Sequence, residues 1–157
     1  MKILCRKKNI TGAKDGTGNK LRTFREFSDL LHCEDYLVNV KKFRHRKALS
    51  KLRTSNHKFQ IETGRHNKTP LPQRLCNICH SGDIENEFHF LCNCSTYFNL
   101  RGELYSKIAK ILPGFNDFNP SNKIKVLLQP RGQVAVHVAQ YVFDCFKKRN
   151  QVLSYSS

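Results

Sequence analysis

Three features of the sequence predict a mainly α fold, a small helical domain organised around a Cys/His metal module. Apolar residues recur at three- and four-residue steps in several segments, and proline and glycine cut those segments into helix-sized pieces. Four of the seven cysteines crowd between residues 76 and 94, beside two histidines. With 157 residues, 39% hydrophobic and 25% charged, the chain can build a modest core. Its longest apolar run is broken by His137 and Gln140, well short of the roughly 18 residues a membrane-spanning helix needs, so no membrane partner is expected.

Residues 1–19 read as a flexible basic N-terminal segment. Gly12, Gly16 and Gly18 fall in a stretch with nothing apolar larger than Ala, and no G-x-x-x-x-G-K-[ST] phosphate loop can be laid over it. A basic helical region, 20–68, follows. Leu21, Phe24, Phe27, Leu30 and Leu31 predict an amphipathic helix over 20–33, and Tyr36 and Leu37 open a short turn. Over 41–54, at 100° per residue, His45, Ala48, Leu49 and Leu52 make one apolar stripe. Arg44, Lys47 and Lys51 flank it on one side, and Lys42, Arg46 and Arg53 on the other. Gly64 and the Pro70-Leu-Pro72 pair then punctuate the chain, the prolines enforcing an extended path into a cysteine-rich module, 69–101.

C-terminal helices packing on that module are expected over 102–157. Tyr97, Leu100, Leu104, Ile108, Ile111 and Leu112 mark a helix stopped by Pro113 and Gly114. Pro120 opens a further helical segment through Leu128, and Pro130 to Gly132 forms a turn. The last element, 133–149, is apolar on more than one face, which predicts a buried helix in preference to a strand through Val134, Val136 and Val138. Lys147, Lys148 and Arg149 suit the C-terminus of that helix electrostatically.

Charge is the next constraint. Lys and Arg number 28 against 12 Asp and Glu, a net of +16. Residues 1–74 hold nineteen basic and six acidic side chains, leaving +13 there and only +3 beyond. Between Lys41 and Lys68 ten cations face a single acid, Glu62. A solvated helix face is the ordinary reading of a basic run, but the near absence of compensating acid here favours a polyanionic partner, RNA or DNA, gripped through its phosphates. The expected contacts are Lys42, Arg44, Arg46, Lys47, Lys51, Arg53, Lys58 and Arg65, with base stacking on Phe43, Phe59 or His57 weighed against core roles for those rings.

The cysteine-rich stretch reads C-x2-C-x9-H-x4-C through Cys76, Cys79, His89 and Cys94. Two thiolates from one tight turn, completed by an imidazole and a third thiolate, are the donors tetrahedral Zn²⁺ takes, and Gly82 eases the intervening turn. A closed set of four leaves no water position, so the metal is expected to be structural. His80 competes with His89 but adjoins Cys79 and would strain to reach the same ion. Cys92 competes with Cys94, since His89 and Cys92 at i, i+3 share a helical face. The alternative is a set of buried thiols without metal. Cys5, Cys33 and Cys145 are isolated, with core or incidental roles as their default. Seven cysteines behind an N-terminus whose apolar patch is only three residues long predict a reducing, intracellular location, nuclear and/or cytoplasmic.

No catalytic set is expected. The zinc deaminase signature is missing, because no H-x-E precedes Cys76 and Leu75 stands where its Pro would be. Glu85 and Glu87 read as complements to a helix dipole, or, for Glu87, as the group that orients His89.

Several motifs in order carry a resemblance. They are Lys20-Leu-Arg-Thr-Phe-Arg-Glu-Phe27, Tyr36-Leu37, Arg46-Lys-Ala-Leu-Ser-Lys-Leu-Arg-Thr-Ser-Asn-His57, Ile61-Glu-Thr-Gly-Arg65 and Arg74-Leu-Cys-Asn-Ile-Cys79, then Ile84-Glu-Asn-Glu-Phe-His-Phe-Leu91 and Cys94-Ser-Thr-Tyr97 with Arg101. Together, over residues 20–149, they resemble the C-terminal region of non-LTR retrotransposon reverse transcriptases. That resemblance implies a CCHC zinc module with ligands at Cys76, Cys79, His89 and Cys94, although Ser95 stands where the family usually has Pro. It also implies the upstream polymerase region of a parent polyprotein as a partner. The polymerase's paired metal-binding carboxylates are missing, since Asp15, Asp29, Asp35, Asp83, Asp117 and Asp144 are all isolated, so two-metal nucleotidyl transfer cannot be assembled from this chain.

The sequence therefore predicts a zinc-stabilised nucleic-acid-binding module, in which zinc locks residues 76–94 and holds the basic helix and the Arg65 loop as a rigid phosphate-contacting surface. The alternative is a zinc-dependent structural or protein-interaction module whose basic face is unspecific.

Overall fold

The computed structural model describes residues 33–155. The amphipathic helix expected over 20–33, the glycine-rich segment before it and Cys5 lie outside the described residues.

The chain opens on a short helix α1 (Asp35–Asn39), whose Asp35 carboxylate accepts from the Asn39 amide at 2.8 Å. Helix α2 (Phe43–Arg53) follows, and it buries His45, Ala48, Leu49 and Leu52, the stripe its periodicity predicts. Helix α3 (Gln60–His66) is short because Asn67 and Lys68 turn the chain, Lys68 at φ 57°. Where the prolines predict an extended path, a single 3₁₀ turn forms at Leu71–Gln73, because the fixed φ of Pro72 suits a helical turn as well as an extended one, and it leads into the cysteine-rich loop.

Beyond that loop, α4 (Phe98–Ile111) ends before Pro113, and Gly114 takes φ 82° to reverse the chain. Helix α5 (Pro120–Leu128) starts on its proline, with the Asn119 side chain capping the Asn122 N–H at 2.8 Å. The last helix, α6 (Gly132–Tyr155), has 24 residues, about 36 Å at 1.5 Å per residue. It packs against α2, α4 and α1, which explains its apolar character on several faces. Val134, Ala135, Val138, Ala139, Val142 and Cys145 are buried at helical steps, so the strand alternation of Val134, Val136 and Val138 is overruled by contacts on more than one side.

One continuous core runs from Leu49 and Leu52 through Phe59, Phe90 and Tyr97 to α6. At its centre the ring centroids of Phe59 and Phe90 lie 4.7 Å apart and those of Phe90 and Tyr97 5.0 Å apart, edge-on in the second pair. Among the described residues there is no strand, only a bridge between Leu75 and Ile84. No helix among them is long and apolar enough to cross a membrane.

One expectation needs correcting here. Lys147, Lys148 and Arg149 do not sit at a helix terminus, because α6 continues six residues beyond Arg149. Arg149 is 5% exposed and turns inward, binding both Glu85 oxygens at 3.0 Å and the Lys58 carbonyl at 3.0 Å. It joins the last helix to the segment entering α3 and to the far strap of the cysteine loop. Arg53, Arg74 and Arg101 also donate to backbone carbonyls outside their own helical ladders, and so does the half-buried Arg46, to Val40. A planar guanidinium with five donors satisfies several carbonyls at once, which an ammonium cannot do in fixed geometry.

Candidate metal centre and basic face

The cysteine loop is a small hairpin closed by backbone bonds. Cys76 N–H donates to the Asp83 carbonyl at 2.8 Å and Glu85 N–H to the Arg74 carbonyl at 2.9 Å, on either side of the Leu75–Ile84 bridge. Within it His80 at φ 54° and Gly82 at φ 81° make the reversal that turns both Cys76 and Cys79 inward. The other half of the site stands on one helical turn, whose start is capped by the Asn86 side chain accepting from His89 N–H at 2.8 Å.

That turn widens over His89–Asn93, where Cys94 N–H reaches back five residues to the His89 carbonyl at 2.7 Å. In a regular α-helix residues i and i+5 diverge by about 140°. The wider turn brings them to one side, so His89 and Cys94 face the same point. Arg101 on α4 then donates to the Cys94 carbonyl at 3.0 Å and holds it there.

The donor atoms of Cys76, Cys79, His89 and Cys94 all lie within 4.8 Å of one another, with His89 Nε2 3.3 Å from Cys79 Sγ. Zinc–sulfur bonds of about 2.3 Å in a tetrahedron place sulfurs roughly 3.8 Å apart, a spacing this cluster accommodates. The imidazole uses Nε2 toward the cluster and turns Nδ1 toward the Asp83 carboxylate, 3.4 Å away. Ser81 Oγ donates to that same carboxylate at 2.9 Å and lies 3.4 Å from Cys79 Sγ.

The four groups perturb one another's protonation. His89 is raised to about 9, chiefly by the Cys76 and Cys79 sulfurs working against burial. Cys76 is pushed up to about 11, first by its hydrogen bond with Cys94 and then by burial. Cys94 is held below the usual thiol value by Cys76, and Cys79 too is lowered, its burial being outweighed by the hydroxyl and backbone of Ser81. Three sulfurs and an imidazole whose donor atoms converge in this way form a set of four that fits one soft or borderline divalent cation, which would bind by displacing their protons.

The two sequence ambiguities are resolved by geometry. Cys92 points away from the cluster and hydrogen-bonds Tyr105 of α4, and His80 is exposed on the loop tip. Cys145 is fully buried in the core and Cys33 is exposed. Glu87 does not take the role expected of it, orienting His89; the carboxylate nearest to His89 Nδ1 is that of Asp83. Glu87 instead lies 3.0 Å from His57 Nε2 and accepts from Ser55 Oγ at 3.3 Å, while Glu85 accepts from Gln60 N–H and Arg149. Only the hairpin decides between these acids, because their spacing from His89 along the chain is equally permissive.

The predicted phosphate contacts divide in two. Lys42, Arg44, Lys47, Lys51 and Lys58 are exposed, and Arg46 is half-buried with a bond to the Val40 carbonyl at 3.0 Å. Arg65 lies 3.0 Å from Glu62. Arg53 has to be corrected: at 2% exposure it pairs with Glu34 at 2.6 Å, donates to the Leu128 carbonyl and lies over the Tyr36 ring, tying α2 to α1 and α5. Burial outweighs these partners and lowers its affinity for a proton. Phe59, at 0% exposure, and the His57 ring stacked on it at 3.9 Å belong to the core, whereas Phe43 is 65% exposed.

No protein-family model, curated protein or solved structure matches the chain.

Proposed function

We propose that this chain is a zinc-stabilised nucleic-acid-binding module, acting by contact and not by catalysis. The observation that carries this reading is where the carboxylates of the basic half go. Glu34 is paired with Arg53, Glu62 with Arg65, and Asp35 accepts from Asn39 and from Gly132 N–H. Among the described residues, Lys42, Lys47, Lys51 and Lys58 are left on the surface with no ion pair. Exposed cations without ion pairs on a small, strongly basic domain attract a polyanion.

Zinc is the metal that best suits three thiolates and an imidazole, and Cys76, Cys79, His89 and Cys94 would hold it. When bound it would supply a structural cross-link, closing the loop on which Glu85 meets Arg149 and through it the Lys58 carbonyl. Glu85 and Glu87, which could otherwise pair as acid and base, are buried in ties to Arg149 and His57, which supports binding over catalysis. The ordered motifs shared with the C-terminal region of non-LTR retrotransposon reverse transcriptases support the same role, with the polymerase region of a parent polyprotein as a neighbour.

Titrating salt against binding to RNA, duplex DNA and a neutral polymer tests the reading. Each phosphate neutralised lowers log affinity by about 0.9 per decade of salt on duplex and about 0.7 on single strands. An absent or salt-independent interaction removes it. The competing reading, a protein-interaction module, is favoured by Phe98, 70% exposed on α4, and it predicts binding that Phe98→Ser abolishes and salt leaves unchanged.

A further inference from the structure

The basic face is not uniform. On α2, Phe43, Lys47 and Lys51 stand at i, i+4 and i+8, which places them on one exposed ridge opposite the buried stripe. Phe43 begins the ridge with a ring 65% exposed, the guanidinium of Arg46 and the ammonium of Lys47 each 5.9 Å from its centroid. Lys51 ends it at the mouth of a groove of about 370 Å³, lined also by Asn56, Lys58, Phe59 and Asn150. No Asp or Glu lines that groove. His57 and Arg149 form its floor, already engaged with Glu87 and Glu85.

From Phe43 to Lys51 the ridge rises about 12 Å at 1.5 Å per residue, the length of about three nucleotides stacked roughly 3.4 Å apart.

We infer that this ridge and groove form a track for a single strand of nucleic acid, in which a base stacks on Phe43, successive phosphates follow Lys47 and Lys51, and the next nucleotide enters the groove between Lys58 and Asn150. This rests on the nucleic-acid reading above and specifies the ligand for it. Duplex bases already stack on one another and present only their edges, so an exposed ring has nothing to gain from them, whereas an unpaired base has a free face. The cations around Phe43 serve both partners, attracting the phosphates and lying against the ring. Asn56 and Asn150 offer amide donors and acceptors to a base edge in the groove, while the lysines carry no sequence information.

Fluorescence anisotropy of labelled oligouridine, oligothymidine and a duplex of equal length, measured with the full metal-loaded chain, tests the track. Both single strands are expected to bind more tightly than the duplex, the two arms showing whether ribose or deoxyribose is preferred. Phe43→Leu lowers single-strand affinity about tenfold and leaves duplex affinity within about twofold, while Phe43→Tyr keeps both. Lys51→Gln with Lys58→Gln reduces the salt slope for single strands by about 1.4, since each lost phosphate contact removes about 0.7. Phe43 is exposed, so these variants fold. If binding stays salt-dependent but Phe43→Leu changes nothing, or the duplex binds better, the track is wrong and the broader reading stands. If no nucleic acid binds in a salt-dependent way, both fail.

Discussion

Replacing Arg149 by Met removes the tie on which the molecule's two halves meet. The guanidinium binds Glu85 through two nitrogens at 3.0 Å and the Lys58 carbonyl at 3.0 Å, across 64 and 91 residues of chain. Both side chains are almost wholly buried, at 6% and 3% exposure. An exposed pair of this kind would be worth at most about 1 kcal/mol. Here the loss strands the Glu85 carboxylate in the interior with the Gln60 N–H as its remaining donor, so the expected cost is about 3–5 kcal/mol. For a chain of this size that lowers Tm by about 10 °C. Most of the cost is the stranded charge and not the lost attraction. Glu85→Met combined with Arg149→Met should therefore recover most of it, with a coupling energy of at least about 2 kcal/mol. Urea unfolding at constant zinc concentration, followed by circular dichroism, measures all four corners of the cycle. A cost below about 1 kcal/mol for Arg149→Met, or simple additivity in the double variant, refutes the argument.

Cys94→Ser should fail to retain zinc through desalting, whereas Cys92→Ser, which loses only a contact with Tyr105, keeps a full equivalent by metal analysis; the reverse pattern overturns the ligand assignment. Gly64→Ala should destabilise by about 1–2 kcal/mol in denaturant melts. The new Cβ would lie 2.7 Å from Arg74 Cγ, and Arg74 is anchored to the Thr69 and Ile61 carbonyls, so the strain exceeds the helical gain of alanine. His45 is held below 6.5 by burial and by Lys42 and Arg44, against Asp144, beside the Phe143 ring. The unfolded chain then binds its proton more readily than the folded one, so stability is full above 6.5 and declines as pH falls below it. His45→Gln should remove that decline from the difference between the two stability curves, in which the metal ligands' own protonation cancels; parallel curves would exclude His45 as its source.

Helix periodicity and punctuation were legible because they express short-range physics. The stripe on α2, the stop before Pro113, and the start of α5 at Pro120 follow from which residues share a helical face and which cannot continue a helix. The candidate metal ligands were legible as a shortlist, since C-x2-C needs only a local turn. Choosing Cys94 over Cys92 was not, because the answer depends on a widened turn five residues around, held by Arg101 from the next helix.

The basic residues show the same division. Composition alone announces a positively charged chain, and nothing local separates Arg53 and Arg149 from the lysines beside them. The sequence by itself determined the helical class, the apolar faces and the cluster of soft donors, each set by neighbours within a turn or two. Tertiary structure decided which cations are spent inside and which stay on the surface. A buried guanidinium needs acceptors that converge on it, and Glu85 and Lys58 reach Arg149, and Leu128 reaches Arg53, from parts of the chain that only folding brings together.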